Sequence, residues 1–133
     1  MDAQDLKNRT KQFALRVIRL VESLPKGPTA TVVGRQLLRA GTSVGSNYRS
    51  ACRAKSPADF ICKMGIVEEE ADESLYWMEL LVEANIVREK RLEPLMKEAG
   101  ELVAIAVASQ NTARRKTPVR KSALRTPHSA MEH

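Results

Sequence analysis

The chain has 133 residues, 43% of them hydrophobic, 4% aromatic and 29% charged, with a net charge of +6. That length makes one domain the natural count, and an aliphatic composition poor in aromatics suits helix packing better than a β-sandwich. A polar N-terminal stretch, the lack of any long apolar run and a pair of cysteines exclude a secretory signal, a membrane span and a disulfide framework, which implies a reducing, cytoplasmic setting.

Four helical segments are expected. In the first, over residues 4–24, Phe13, Val17, Leu20, Val21 and Leu24 make one apolar stripe, and Pro25-Lys26-Gly27-Pro28 ends it. The second, over residues 29–54, takes Thr29 as its cap and Val33, Leu37, Leu38, Val44, Tyr48 and Ala51 as its apolar face. Gly34, Gly41 and Gly45 fall on one side of it. Each interior glycine costs about 1 kcal/mol relative to alanine, so three together need a reason. One is close approach of a second helix backbone; the other is a break near residues 40–46.

Ser56-Pro57-Ala58-Asp59 opens the third segment with Ser at N-cap, Pro at N1 and an acid at N3. Its core stripe reads Phe60, Met64, Val67, Ala71, Leu75, Met78 and Val82, widened by Trp77 and Leu81. Glu69, Asp72, Tyr76, Glu79 and Glu83 occupy the opposite side. A charged connector over residues 87–91 leads to the fourth segment, which ends near residue 112. Pro94 falls in its first turn, and Leu95, Ala99, Leu102, Ile105, Ala106 and Ser109 face the core, with Gly100 a weak point. The fold class is all-α, an antiparallel up-down-up-down four-helix bundle over residues 1–113. Residues 114–133, basic and with two prolines, read as a disordered tail.

Charge is segregated along the chain. Residues 4–55 carry +9, residues 56–113 carry −7, residues 114–133 carry +5, and Asp2 completes the total. In the second segment Arg35, Arg39, Thr42, Ser46, Arg49 and Arg53 recur every three or four residues, which aligns them on one face. Guanidinium groups grip phosphate oxygens bidentately, so this face suits a nucleic-acid backbone, and Lys55, Arg16 and Arg19 extend it. The competing reading pairs the arginines with acids of the third segment, setting helix register or subunit contacts. Arg114, Arg115, Lys116, Arg120, Lys121 and Arg125 make the tail a polycation with sequence-independent, salt-sensitive attraction to nucleic acid, or a solubilising extension.

No catalytic, metal or cofactor residue is assigned. Both histidines, His128 and His133, fall in the tail. Cys52 and Cys62 read as buried free thiols, because no second pair makes a zinc site. Asn47 reads as a polar residue that either fixes helix packing or makes a surface contact.

The stretch Gln36-Leu37-Leu38-Arg39-Ala40-Gly41, then Ser43-Val44-Gly45-Ser46-Asn47-Tyr48-Arg49, then Ser56 with Asp59-Phe60, then Glu70 with Glu73-Ser74 and Trp77, is a long ordered pattern. It resembles the four-helix bundle proteins encoded in intervening sequences of bacterial large-subunit rRNA genes. The resemblance implies a ring-like homo-oligomer, commonly a pentamer, with Gly41, Gly45, Asn47, Tyr48, Glu70 and Trp77 as packing or oligomer residues. In bundle size and positive charge the chain is also similar to the accessory subunit of diversity-generating retroelements. That likeness implies a reverse transcriptase as a protein partner. The functional expectation is a non-enzymatic scaffold that binds RNA or DNA backbone, with no small-molecule substrate. The rival expectation is a self-assembly or protein-docking module without nucleic-acid affinity.

Overall fold

A computed structural model describes residues 1–116. Four helices follow one another: α1 (Ala3–Glu22), α2 (Pro28–Ala51), α3 (Pro57–Glu83) and α4 (Glu89–Lys116). The connections span residues 23–27, 52–56 and 84–88, and such short links make consecutive helices antiparallel neighbours. The arrangement is the expected up-down-up-down bundle. Among the described residues, no helix is long and apolar enough to cross a membrane.

Local chemistry sets the ends. α1 opens on a reciprocal capping box: the Asp5 N–H donates to Asp2 at 2.8 Å, and the Asp2 N–H donates to Asp5 at 3.2 Å. α2 is capped two residues earlier than expected, with Gly27 at N-cap and no side-chain cap. Pro28 takes N1, where its missing N–H costs nothing, and Gly27 adopts φ +155°, a backbone that side chains strain against. Thr29 is therefore a first-turn residue. Ser56 caps α3 as expected, its hydroxyl accepting from the Asp59 N–H at 3.0 Å. That helix closes on Asn85 in the left-handed region, φ +59°, with the Asn85 and Ile86 amides returning to the Val82 and Leu81 carbonyls.

Both boundaries of α4 depart from the sequence reading, and α2 ends at Ala51, three residues short of the expected 54. α4 begins at Glu89, inside the expected connector, so Pro94 lies in its second turn. It also runs through Arg114, Arg115 and Lys116, three residues assigned to the tail, because nothing in that turn breaks a helix. Arg120, Lys121, Arg125 and both histidines lie outside the described residues.

The core is aliphatic. Phe13, Leu37, Met64, Met78, Leu81, Leu92 and Leu102 are fully buried, each contributing about 1.5–3 kcal/mol by leaving water. In α3 the buried line is Ile61, Met64, Val67, Ala71, Ser74, Met78 and Leu81, whereas Phe60, Leu75, Trp77 and Val82 are only partly covered. The stripe is rotated because α2 and α4 flank α3 on two sides, and a one-dimensional periodicity cannot weigh two partners. In α4, Leu92 and Gln110 join the core and Ile105 is half-covered.

The glycines of α2 explain how α1 fits. α2 is continuous through residues 40–46. A Cβ on Gly41 would lie 2.8 Å from both γ-methyls of Val17, one on Gly34 would lie 2.9 Å from Leu24, and one on Gly45 would lie 3.1 Å from Thr10. Rising positions on α2 thus meet falling positions on α1, as antiparallel helices in close contact require. Tyr48 is a core residue.

Candidate nucleic-acid interface

The antiparallel order brings one end of every helix to a common pole: the start of α1, the end of α2, the start of α3 and the end of α4. Residues 2–11, 46–63 and 98–116 there hold ten Lys/Arg, three Asp and two Glu, a local excess of +5. Two open clefts share this pole. One, about 350 Å³, lies between α1 and α2 and includes Lys7, Lys11, Thr42, Ser46 and Arg49. The other, about 580 Å³, runs from Ser46 and Arg49 past Ser50 and Arg53 to Lys63 on α3. Ser46 and Arg49 belong to both, so the clefts form one cationic trough.

Among the described residues, Lys7, Lys11, Arg49 and Arg53 meet no carboxylate within ion-pair distance. Lys63 pairs with Asp59 at 3.1 Å, one helical turn away. Asp59 also accepts from the Lys55 N–H at 3.1 Å. The Lys55 amide, then Lys63, holds the Asp59 carboxyl below the usual carboxylate range. Lys7, Lys11 and Lys63 were not singled out in the sequence, because their proximity to Arg49 depends on how α1 and α3 flank α2.

The arginine ridge is not uniform. Arg53 sits in the turn after α2, which ends at Ala51, yet stays beside Arg49 in the trough. Arg39 is engaged by α3: it hydrogen-bonds Glu73 and stands 3.6 Å from Glu70. Those acids, rather than the exposed Asp72, Glu79 and Glu83, point toward α2. Arg35 lies about 21 Å from Arg49 along the helix, in a cleft with Lys26. Arg16 and Arg19 do not extend the ridge. They line a cleft between α1 and α4 with Arg91, because they project from a different side of α1 than Lys7 and Lys11. Charge pairing and open cationic surface thus divide the ridge between them.

Glu70 and Trp77 belong to the Arg39 cluster. The indole N–H of Trp77 donates to Glu73 at 3.2 Å, and its ring meets Tyr76 edge-on at 5.0 Å. One Glu70 oxygen is buried with no hydrogen-bond partner. Burial first, then the Glu73 charge, pushes the Glu70 carboxyl above its ordinary value against the pull of Arg39. Asn47 spends its amide on the Ser43 carbonyl of its own helix at 2.8 Å, not on a neighbouring helix. Cys52 is exposed and Cys62 half-buried, so the buried-thiol expectation fails for Cys52, which lies just past the last turn of α2. Burial, then a hydrogen bond with Cys52, pushes the Tyr48 hydroxyl well above its usual value.

No aromatic residue lines the two clefts of the trough. Phe13 and Tyr48 are buried, Phe60 and Trp77 are partly covered, and Tyr76, 52% exposed, stands on the acidic side of α3. The trough can neutralise phosphates but offers no ring for base stacking.

The model of the family described as 23S rRNA-intervening sequence protein matches residues 3–108. The chain is also similar to the crystal structure of a protein with unknown function from the S23 ribosomal protein family of Bacteroides thetaiotaomicron. The two are 32% identical with a TM-score of 0.77, over 84% of this chain and 99% of that one. No curated protein matches. A family match across all four helices, joined to the same fold in that relative, establishes that the chain belongs to the 23S rRNA-intervening sequence protein family.

Proposed function

We propose that this protein is a non-enzymatic, homo-oligomeric scaffold that holds nucleic acid by its phosphate backbone at the cationic pole. The observation that carries the reading is the trough in which Lys7, Lys11, Arg49 and Arg53 stand without carboxylate partners among the described residues. Unpaired cations on a solvated surface release condensed counterions when they meet phosphates, which is the main source of sequence-independent affinity. With no stacking ring in the trough, bases are not read. A ring of subunits, pentameric as the resemblance implies, repeats the pole and multiplies a weak contact.

The test is fluorescence anisotropy with labelled nucleic acid across a salt series. For four neutralised phosphates, affinity falls about a hundredfold between 50 and 200 mM salt. The pair Arg49→Glu and Arg53→Glu lowers affinity at least about tenfold while helical content and particle size stay unchanged. Undiminished binding in that variant removes the trough from the account.

The rival reading, a docking module without nucleic-acid affinity, draws on the outer side of α3. There Tyr76 is exposed among Asp72, Glu79 and Glu83. Such a face suits a basic protein surface. Particles that dissociate in salt and retain no RNA at low salt would favour it.

A further inference from the structure

Thr42 and Ser46 line the cleft between the lysines of α1 and Arg49. As hydroxyls on a cationic face they look like phosphate donors, but each already has a backbone carbonyl as acceptor, closely for Thr42 and more loosely for Ser46. The Thr42 hydroxyl donates to the Leu38 carbonyl at 2.7 Å, and the Ser46 hydroxyl donates to the Ser43 carbonyl at 3.2 Å. A hydroxyl has one proton and two lone pairs, so each presents acceptor valence to the cleft. A phosphate oxygen only accepts. To serve it, either hydroxyl must give up the carbonyl bond it makes, an exchange with little net gain.

The sugar–phosphate backbone of DNA carries no hydrogen-bond donor. That of RNA carries one per nucleotide, the 2′-hydroxyl. We infer that the α1–α2 cleft selects RNA over DNA, with Thr42 Oγ1 and Ser46 Oγ accepting from ribose 2′-hydroxyls while Lys7, Lys11 and Arg49 hold the flanking phosphates. Thr42 and Ser46 are one helical turn apart, about 6 Å, so both face the same stretch of strand. The inference rests on the backbone-binding reading and adds to it the identity of the sugar.

The experiment compares RNA, DNA and 2′-O-methyl RNA of one sequence and length, by anisotropy at fixed low salt, on the full chain. The methylated strand keeps an A-form sugar but loses the donor, so it separates the hydrogen bond from helix shape. RNA is expected to bind about five- to tenfold tighter than DNA, with 2′-O-methyl RNA close to DNA. In the Thr42→Val, Ser46→Ala variant the RNA-to-DNA ratio falls to within about twofold of one. Equal affinity for RNA and DNA in the natural chain, a methylated strand that binds like RNA, or a ratio that survives the double variant each overturns the inference and leaves backbone binding intact. Failure of all three strands to bind at low salt overturns the backbone reading itself, and the sugar selection with it.

Discussion

The Arg9 guanidinium grips Glu98 through two parallel hydrogen bonds, Nε to Oε2 at 2.7 Å and Nη2 to Oε1 at 2.8 Å, tying α1 to α4. Nη2 also reaches Glu101 at 2.6 Å. The hydrogen bond to Glu98, ahead of that to Glu101, holds Arg9 above its ordinary value, so it stays charged at every accessible pH. α1 and α4 are the first and last helices, and this fork closes the bundle where no short connection does. With side chains 26% and 16% exposed, the pair is better sheltered than an ordinary surface bridge. Arg9→Ala is expected to lower stability by about 1–2 kcal/mol in urea unfolding. Arg9→Lys should recover only part of it, since an ammonium cannot make the two-pronged bond.

Gly41 and Gly100 respond oppositely to one substitution. A Cβ at Gly41 lands 2.8 Å from the γ-methyls of Val17, which is buried and stiff at χ1, whereas a Cβ at Gly100 meets nothing within 4 Å. Gly41→Ala should therefore lose about 1–2 kcal/mol, overpacking outweighing the gain in helix propensity. Gly100→Ala should gain about 1 kcal/mol, read as a higher denaturation midpoint. Pairing Gly41→Ala with Val17→Ala should cost less than the two losses summed, and the double-mutant cycle reports that relief.

Glu70 and Asp59 predict opposite pH effects. Glu70 is raised in the folded chain, by burial first and Glu73 second. The stability linked to its proton is fully present below the unfolded pKa and is lost as pH rises through the folded value. At neutral pH the carboxylate is a burden, so Glu70→Gln should be more stable than the natural chain at pH 7, and the gap should close on acidification. Asp59 is lowered, by the Lys55 amide first and Lys63 second. Its contribution is present above the unfolded pKa and is lost as pH falls through the folded value. Asp59→Asn should cost stability at pH 7, and that cost should vanish in acid. Thermal melts of both variants from pH 3 to pH 8 check the two signs.

Position at the pole, rather than charge alone, should govern polyanion affinity. Arg16 lies in the α1–α4 cleft and Arg35 lies with Lys26, both away from the trough. Arg16→Glu and Arg35→Glu should change affinity no more than about twofold at 0.15 M salt, where charges beyond about 8 Å are screened. Lys11→Glu, of equal charge change, should weaken binding at least about fivefold. Deleting residues 117–133 removes Arg120, Lys121 and Arg125 and should flatten the logarithmic salt slope by up to about three units.

Much of the bundle was legible in the order of residues. Ser56-Pro57-Ala58-Asp59 announces the start of α3 because capping is a contact among neighbours. Gly34, Gly41 and Gly45 announce a close helix approach because missing side chains at helical spacing leave a groove, although they do not say that Val17 and Thr10 fill it. Thr29 misled because proline at N1 and glycine at N-cap start the helix two residues before a threonine cap could. The α3 stripe misled because Ser74, fully buried, satisfies itself on the Glu70 carbonyl at 2.8 Å and needs no apolar side chain.

By itself, the sequence determined helix content, helix order, the antiparallel course set by short connections, and the excess of positive charge. These follow from interactions within a turn or two of chain. Which cations remain open was decided only in three dimensions. Arg39 is drawn to Glu73 and Arg16 is turned toward α4, while Lys7, Lys11 and Lys63 are gathered around Arg49. Coulomb attraction depends on distance in space, and positions far apart in the chain become neighbours only when helices pack side by side.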